Sequence, residues 1–168
     1  MNPRIFKELI EFHHKGTLPK TINLMPRMIH STIIKPRLAT IIANWIDRND
    51  SNFLSFNNRF KFNLIYSKSR DGFDCETFHR NCNGKGPVVV LIKVPSKKIY
   101  GGYNPIGYAS RNLQWLSSSE SFIFSFKNGQ DICHSKIGRV TNERFAIYEN
   151  CNRYFLCFGY DLYISKLY

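Results

Sequence analysis

The run Val88-Val89-Val90-Leu91-Ile92 constrains this chain more than any other stretch. It has no polar alternation, it follows the loop Asn83-Gly84-Lys85-Gly86-Pro87, and it ends before the turn formers Pro95-Ser96-Lys97-Lys98. Such a run reads as a central strand covered on both faces. Ile99-Tyr100-Gly101-Gly102-Tyr103 returns as its hairpin partner, and paired glycines in a strand mark a bulge or a close backbone approach. Upstream, Phe60, Phe62, Leu64 and Tyr66 alternate with Lys61, Asn63 and Ile65, which predicts a strand with one buried face. Downstream, Asn104 to Glu120 reads as a loop containing Trp115. Three further strands follow at Phe122–Phe126, Phe145–Tyr148 and Tyr154–Phe158, with another over Asp161–Ile164.

Helical signals are fewer. Pro36 suits a first helical position, and Leu38, Ile41, Ile42, Trp45 and Ile46 form one apolar stripe that ends at the turn formers Asp47 to Asn52. Ile5, Leu9 and Phe12 also recur at helical spacing, which predicts a short amphipathic helix over Pro3 to His14, followed by an irregular connector with Gly16, Pro19 and Pro26. The segment Ser69-Arg70-Asp71-Gly72-Phe73-Asp74-Cys75-Glu76-Thr77-Phe78-His79-Arg80-Asn81-Cys82 reads as a turn feeding a two-turn helix. Asp74 caps it, which puts Phe73 at N′ and Phe78 at N4 as a hydrophobic staple. Phe73, Phe78 and Cys82 form its buried stripe, while Glu76, Arg80 and Asn81 face water.

The same residues carry a resemblance. The run Ser69-Arg70-Asp71-Gly72-Phe73, then Phe78, His79 and Cys82, then the Gly86-Pro87-led strand and Gly101-Gly102-Tyr103, resembles the signature of the TLDc domain of oxidation resistance proteins. Phe158-Gly159-Tyr160-Asp161-Leu162-Tyr163-Ile164 is similar to that family's late segment, so the likeness runs from about Ser31 to Tyr168. It implies two antiparallel sheets with helices packed at the ends, a part in protection against oxidative damage and, in several relatives, binding to the vacuolar proton pump, the V-ATPase. Two departures stand out: Tyr108 where relatives commonly have Trp, and an end at Tyr168 where relatives continue into one or two more strands. The resemblance is closest to fungal proteins in which a BTB and a BACK-like region precede this domain. The fold expected is therefore α+β, an antiparallel β-sandwich with two flanking helices, lacking its final strands. Residues 1–35 form a basic helix and connector, and residues 36–168 form the domain.

Composition narrows the function. Hydrophobic residues at 43% and aromatics at 15% exclude disorder, and fourteen Phe and nine Tyr at many alternating positions favour sheet. The net charge is +12, of which seven Lys or Arg against two Glu place +5 in residues 1–37. Charge of that size points to acidic partners. Residues 5–12 are broken by charge where a signal peptide would be continuous, and the longest apolar run is too short to span a bilayer, so an intracellular, cytoplasmic protein is expected. Five cysteines without a regular framework agree with a reducing compartment.

Candidate chemistry is sparse. Cys82 with His79, three apart on one helix, is the candidate redox site; it requires exposure and a cationic neighbour, and burial beside a hydrogen-bonded His is the reading favoured. Cys75, His79 and Cys82 lack the second pair a zinc site needs, so no metal is expected. Arg70-Asp71 reads as part of a turn with an ion pair. Gly84-Lys85-Gly86 lacks the ending of a phosphate loop, Glu76, Glu120, Glu143 and Glu149 show no acid and base pairing, and no cofactor motif occurs. Nucleic-acid binding is not expected, because the basic residues are scattered and the aromatics alternate as core residues do. A non-enzymatic interaction domain results, with Arg70, Arg80 and Lys85 as the candidate partner-binding residues.

Overall fold

A computed structural model describes residues 8–14, 31–50 and 62–165 of the chain, the first of these as backbone. Three helices and ten strands follow in the order β1 (Glu8–His14), α1 (Pro36–Ile46), β2 (Phe62–Ser67), α2 (Lys68–Asp71), α3 (Cys75–Cys82), β3 (Val88–Lys93), β4 (Ile99–Asn104), β5 (Gln114–Leu116), β6 (Phe122–Phe126), β7 (Lys136–Arg139), β8 (Ile147–Glu149), β9 (Tyr154–Phe158) and β10 (Leu162–Ser165). They form a six-stranded sheet of order β2-β1-β3-β4-β6-β7 and a four-stranded sheet of order β10-β9-β8-β5. Every strand pair is antiparallel. This is the α+β sandwich expected.

Strand β3 lies inside the large sheet and separates two cores. Val89 and Leu91 face α1, whose Leu38, Ile41, Ile42 and Trp45 pack with Tyr103, Phe122, Phe124 and Phe126 over the sheet's outer side. Val88, Val90 and Ile92 face the small sheet and α3, meeting Phe78, Cys82, Ile147, Phe155, Leu156 and Phe158. Five apolar residues in a row are thus accounted for by a layer on each side.

Helix α1 begins at Pro36 and stops in a Schellman motif: Asn49 N–H bonds to Asn44 O (2.8 Å) and Arg48 N–H to Trp45 O (3.2 Å). Arg48 takes the left-handed position that usually falls to glycine (φ 57°), and its guanidinium donates to Ser119 O at 2.7 Å. Gly101 and Gly102 mark close approach and not a bulge, since β3 and β4 pair without a register shift. A Cβ on Gly101 would overlap the Phe124 ring and Val90 O, and one on Gly102 would lie 2.6 Å from the Phe158 ring on the other face.

Several expectations are corrected. Residues 8–14 of the expected helix are a strand whose backbone pairs with β2 on one side and β3 on the other. An isolated helix of that length is marginal in water, whereas a slot between two strands satisfies every peptide group; Pro3 to Lys7, Gly16, Pro19 and Pro26 lie outside the described residues. Strand β2 does not bury a single face. Its register with β1 steps from Glu11–Tyr66 to Phe12–Leu64, leaving Ile65 bulged, so Phe62 and Leu64 face α1 while Tyr66 faces α3. Phe60 lies outside the described residues. Trp115 sits on β5 and not in a loop, Phe145 ends a 3-10 turn (Glu143–Phe145) before β8, and β7 was not foreseen. Strands of three or four residues carry too short a pattern to be read locally.

Candidate functional site

The segment from Ser67 to Cys82 holds most of the motif residues, and its side chains are engaged with backbone. Asp71 Oδ2 accepts the Ser67 N–H at 2.8 Å, and Arg70 grips the Asp71 carboxylate through Nε (2.8 Å) and Nη2 (2.7 Å). The same Nη2 donates to Ile65 O at 3.1 Å, the carbonyl of the bulged residue in β2. Ser67 and Ser69 share a hydrogen bond of 2.9 Å, and Tyr66 Oη donates to Gly72 O at 2.6 Å, with Gly72 at φ 83°. Hydrogen bonding from Arg70 holds the Asp71 carboxyl below the usual carboxylate range, partial burial works against it, and the Ser67 N–H adds to the lowering. Arg70 is raised in turn, chiefly by the same bond. With Arg70 half exposed, water screens the pair.

Helix α3 is capped as expected, with Asp74 accepting the Thr77 N–H at 2.8 Å. The staple differs in detail: Phe73 stacks on Phe155 (4.5 Å, 13°), and Phe78 meets the same ring edge-on (5.6 Å), so both clamp on β9. Lys68 Nζ lies 4.5 Å from the Phe73 ring centroid. Phe78 also meets Tyr66, His79 and Tyr108 edge-on, so Tyr108 packs into the core. His79 is buried; Nε2 lies 3.1 Å from the Tyr154 carbonyl oxygen, to which it donates, and Nδ1 lies 3.4 Å from Asn83 Oδ1. Cys75 Sγ reaches Cys151 O (3.1 Å) and Tyr154 O (3.4 Å).

These bonds share a logic. In the β9–β10 register Ile164 faces Leu156 and Ser165 faces Tyr154, so Phe155 is bulged and the neighbouring Tyr154 carbonyl sits where the ladder is broken. Arg70 therefore serves the bulge of the large sheet, while Cys75 and His79 serve the bulge of the small one. The segment thus supplies donors to both sheets at the places where their own pairing lapses.

Cys82 has 0% exposure and packs in the core, so it has no access to solvent oxidants. Burial pushes the Cys157 thiol up to about 11. Tyr103 is buried between sheet and helix, its hydroxyl raised to about 12 by burial first and then by Glu120 and Asp47. Arg80 and Lys85 are exposed, on α3 and the loop after it, with Arg80 donating to Thr77 Oγ1 at 3.2 Å. Among the described residues no three His, Cys, Asp or Glu side chains gather as a metal would require.

Three features escaped the sequence reading. Glu149, 1% exposed, accepts the Ala109 and Arg111 N–H groups and the Arg111 guanidinium, each at 2.9 Å. A cleft of about 660 Å³ is lined by Lys35, Lys93 and Lys97, with no acidic residue among the described residues of its wall. The outer face of the small sheet carries a row of rings. Tyr163 meets Tyr154 (5.9 Å), Tyr154 meets Tyr148 (6.0 Å), Tyr148 meets Trp115 (4.7 Å), and Trp115 meets Phe145 and Tyr160 (5.2 Å each). Tyr160, Tyr163 and Phe145 are 78%, 52% and 41% exposed, and Arg153 lies over Tyr154 at 5.4 Å. Phe145 and Tyr160 also edge a cleft of about 330 Å³ with Ile123, Val140, Phe158 and Asp161. A signal existed: most of the described phenylalanines go inward, whereas the tyrosines of β8, β9 and β10, with a hydroxyl to hydrate, go outward.

The fold and this double fastening define an antiparallel α+β sandwich built around the Arg70-Asp71 pair of α2 and the capped helix α3. A family profile described as the TLDc domain matches residues 28–167, and the chain belongs to that family. Comparisons with curated proteins and with solved structures give no match.

Proposed function

We propose that this chain is a non-enzymatic interaction domain that docks a protein partner presenting apolar side chains within an acidic surface. Membership of the TLDc family supports a part in protection against oxidative stress, the role that the resemblance to oxidation resistance proteins implies. The observation that carries the reading is the ring row on the small sheet. A soluble monomer rarely leaves so continuous an apolar strip in water, and Tyr, Trp and Arg are the residues that dominate binding energy at interfaces. The motif residues, by contrast, spend their polar groups on bulged backbone, which speaks against a catalytic role for them. A net charge of +12, with Arg70, Arg80 and Lys85 exposed, favours an acidic partner. The resemblance suggests a V-ATPase subunit, which would place the protein inside the cell; no described helix is long and apolar enough to cross a membrane.

Pull-down of purified V-ATPase subunits tests this. Retention that falls with salt, and drops at least tenfold for Tyr160→Ser/Tyr163→Ser, is expected. No retention at low ionic strength by a sample shown to be folded would overturn it, as would a steep salt-dependent affinity for single-stranded nucleic acid in its place.

A further inference from the structure

Cys75 and Cys151 are 76 residues apart in sequence, yet the Cys75 thiol is hydrogen-bonded to the Cys151 carbonyl at 3.1 Å. On standard bond lengths their Cα atoms are then no more than roughly 8 Å apart, and a bent S–H···O contact brings them nearer, toward the span a disulfide needs. The two differ in access. Cys75 is buried at the first position of α3, whereas Cys151 is half-buried in the turn between β8 and β9. Cys151 Sγ now points to Ser110 O at 3.6 Å, so closure asks for rotation of the Cys151 side chain and release of the Cys75 thiol from the two carbonyls it holds.

We propose that Cys151 and Cys75 are a peroxide-responsive pair, Cys151 the thiol attacked and Cys75 the thiol that resolves it. The Cys151 thiolate takes one oxygen from hydrogen peroxide; the O–O bond breaks, sulfur gives up two electrons, and hydroxide leaves with a sulfenic acid formed. The Cys75 sulfur then attacks the sulfenyl sulfur. An S–S bond forms, the S–O bond breaks, and the departing hydroxide combines with the proton lost by Cys75 as water. In sum, two thiols are oxidised and one peroxide is reduced to two waters. The bond fixes the start of α3 to the turn that joins the strands bearing Tyr148 and Tyr154. Cys82 and Cys157 are buried, and Cys133, though exposed, lies on the distant β6–β7 connection in sequence and supplies an internal comparison.

The full chain is treated with hydrogen peroxide, its remaining thiols are alkylated after unfolding, and peptides are mapped without reduction. A cross-linked pair joining Cys75 to Cys151 is expected, lighter by two hydrogens than its parts, released by dithiothreitol, retained in Cys133→Ser and lost in Cys151→Ser, a turn substitution that leaves the core intact. Three results would overturn the proposal: both thiols still alkylated, Cys151 driven to sulfinic or sulfonic acid with Cys75 alkylated, or either sulfur joined to another cysteine.

Discussion

Phe78→Ala is the sharpest test of how this domain is held together. The ring is 0% exposed and meets Tyr66 of β2 (5.2 Å), Tyr108 of the loop after β4 (5.3 Å), Phe155 of β9 (5.6 Å) and its neighbour His79 (5.1 Å), all edge-on. Burying a phenylalanine removes about 150–250 Å² from water, worth roughly 4–6 kcal/mol at about 25 cal/mol per Å², an upper bound because unfolded chains already bury part of it. Alanine keeps a fraction of that. The surrounding rings belong to different elements and cannot close on the space, which adds a cavity cost. Destabilisation of about 3–5 kcal/mol follows, within the range for buried aromatic deletions. For a chain of this size that lowers the melting temperature by about 6–20 °C. Urea denaturation followed by tryptophan fluorescence and circular dichroism measures it, with Tyr163→Ala on the outer face as the comparison, expected to change stability by less than about 0.5 kcal/mol. A loss under about 1 kcal/mol for Phe78→Ala at an unchanged denaturant slope would refute the reasoning, because the ring would then not be where the two sheets and α3 converge.

Other substitutions probe other joints. Glu149→Ala leaves two backbone N–H groups and the Arg111 guanidinium without their acceptor and should cost about 3–5 kcal/mol by urea denaturation, with Glu149→Gln milder. Gly102→Ala forces a methyl into the Phe158 ring and should cost about 1–3 kcal/mol or more in the same assay; a neutral result would mean that the sheets stand further apart. Asp71 has its native pKa depressed, so the stability it contributes is present above its unfolded value near about 3.9 and is lost as pH falls through the lower native value. Melting curves of wild type and Asp71→Asn should therefore differ at pH 6 and converge as the solution is acidified below about pH 4. Iodoacetamide at pH 8 should label Cys133 quickly and Cys157 slowly in the native protein, because burial keeps the latter protonated up to about 11.

The elements that the sequence determined by itself are those whose instructions are local. Helix α1 is written in Pro36 and a stripe at 3.6-residue spacing, α3 in Asp74 and its first turn, and β3 in five apolar residues between a loop and a turn. The inward course of Phe78 and Cys82 follows from the same spacing. What only the tertiary structure decided involves strands, whose hydrogen bonds are made with partners far along the chain. Residues 8–14 are extended because β2 and β3 leave a slot between them, and Ile65 and Phe155 are bulged because of the strands they face. No local pattern announces that Arg70 will serve one bulge and His79 the other, or that Glu149 will find Arg111 across 38 residues. The ring row is of the same kind: Trp115, Tyr148, Tyr154 and Tyr163 become one surface only when β5, β8, β9 and β10 are laid side by side.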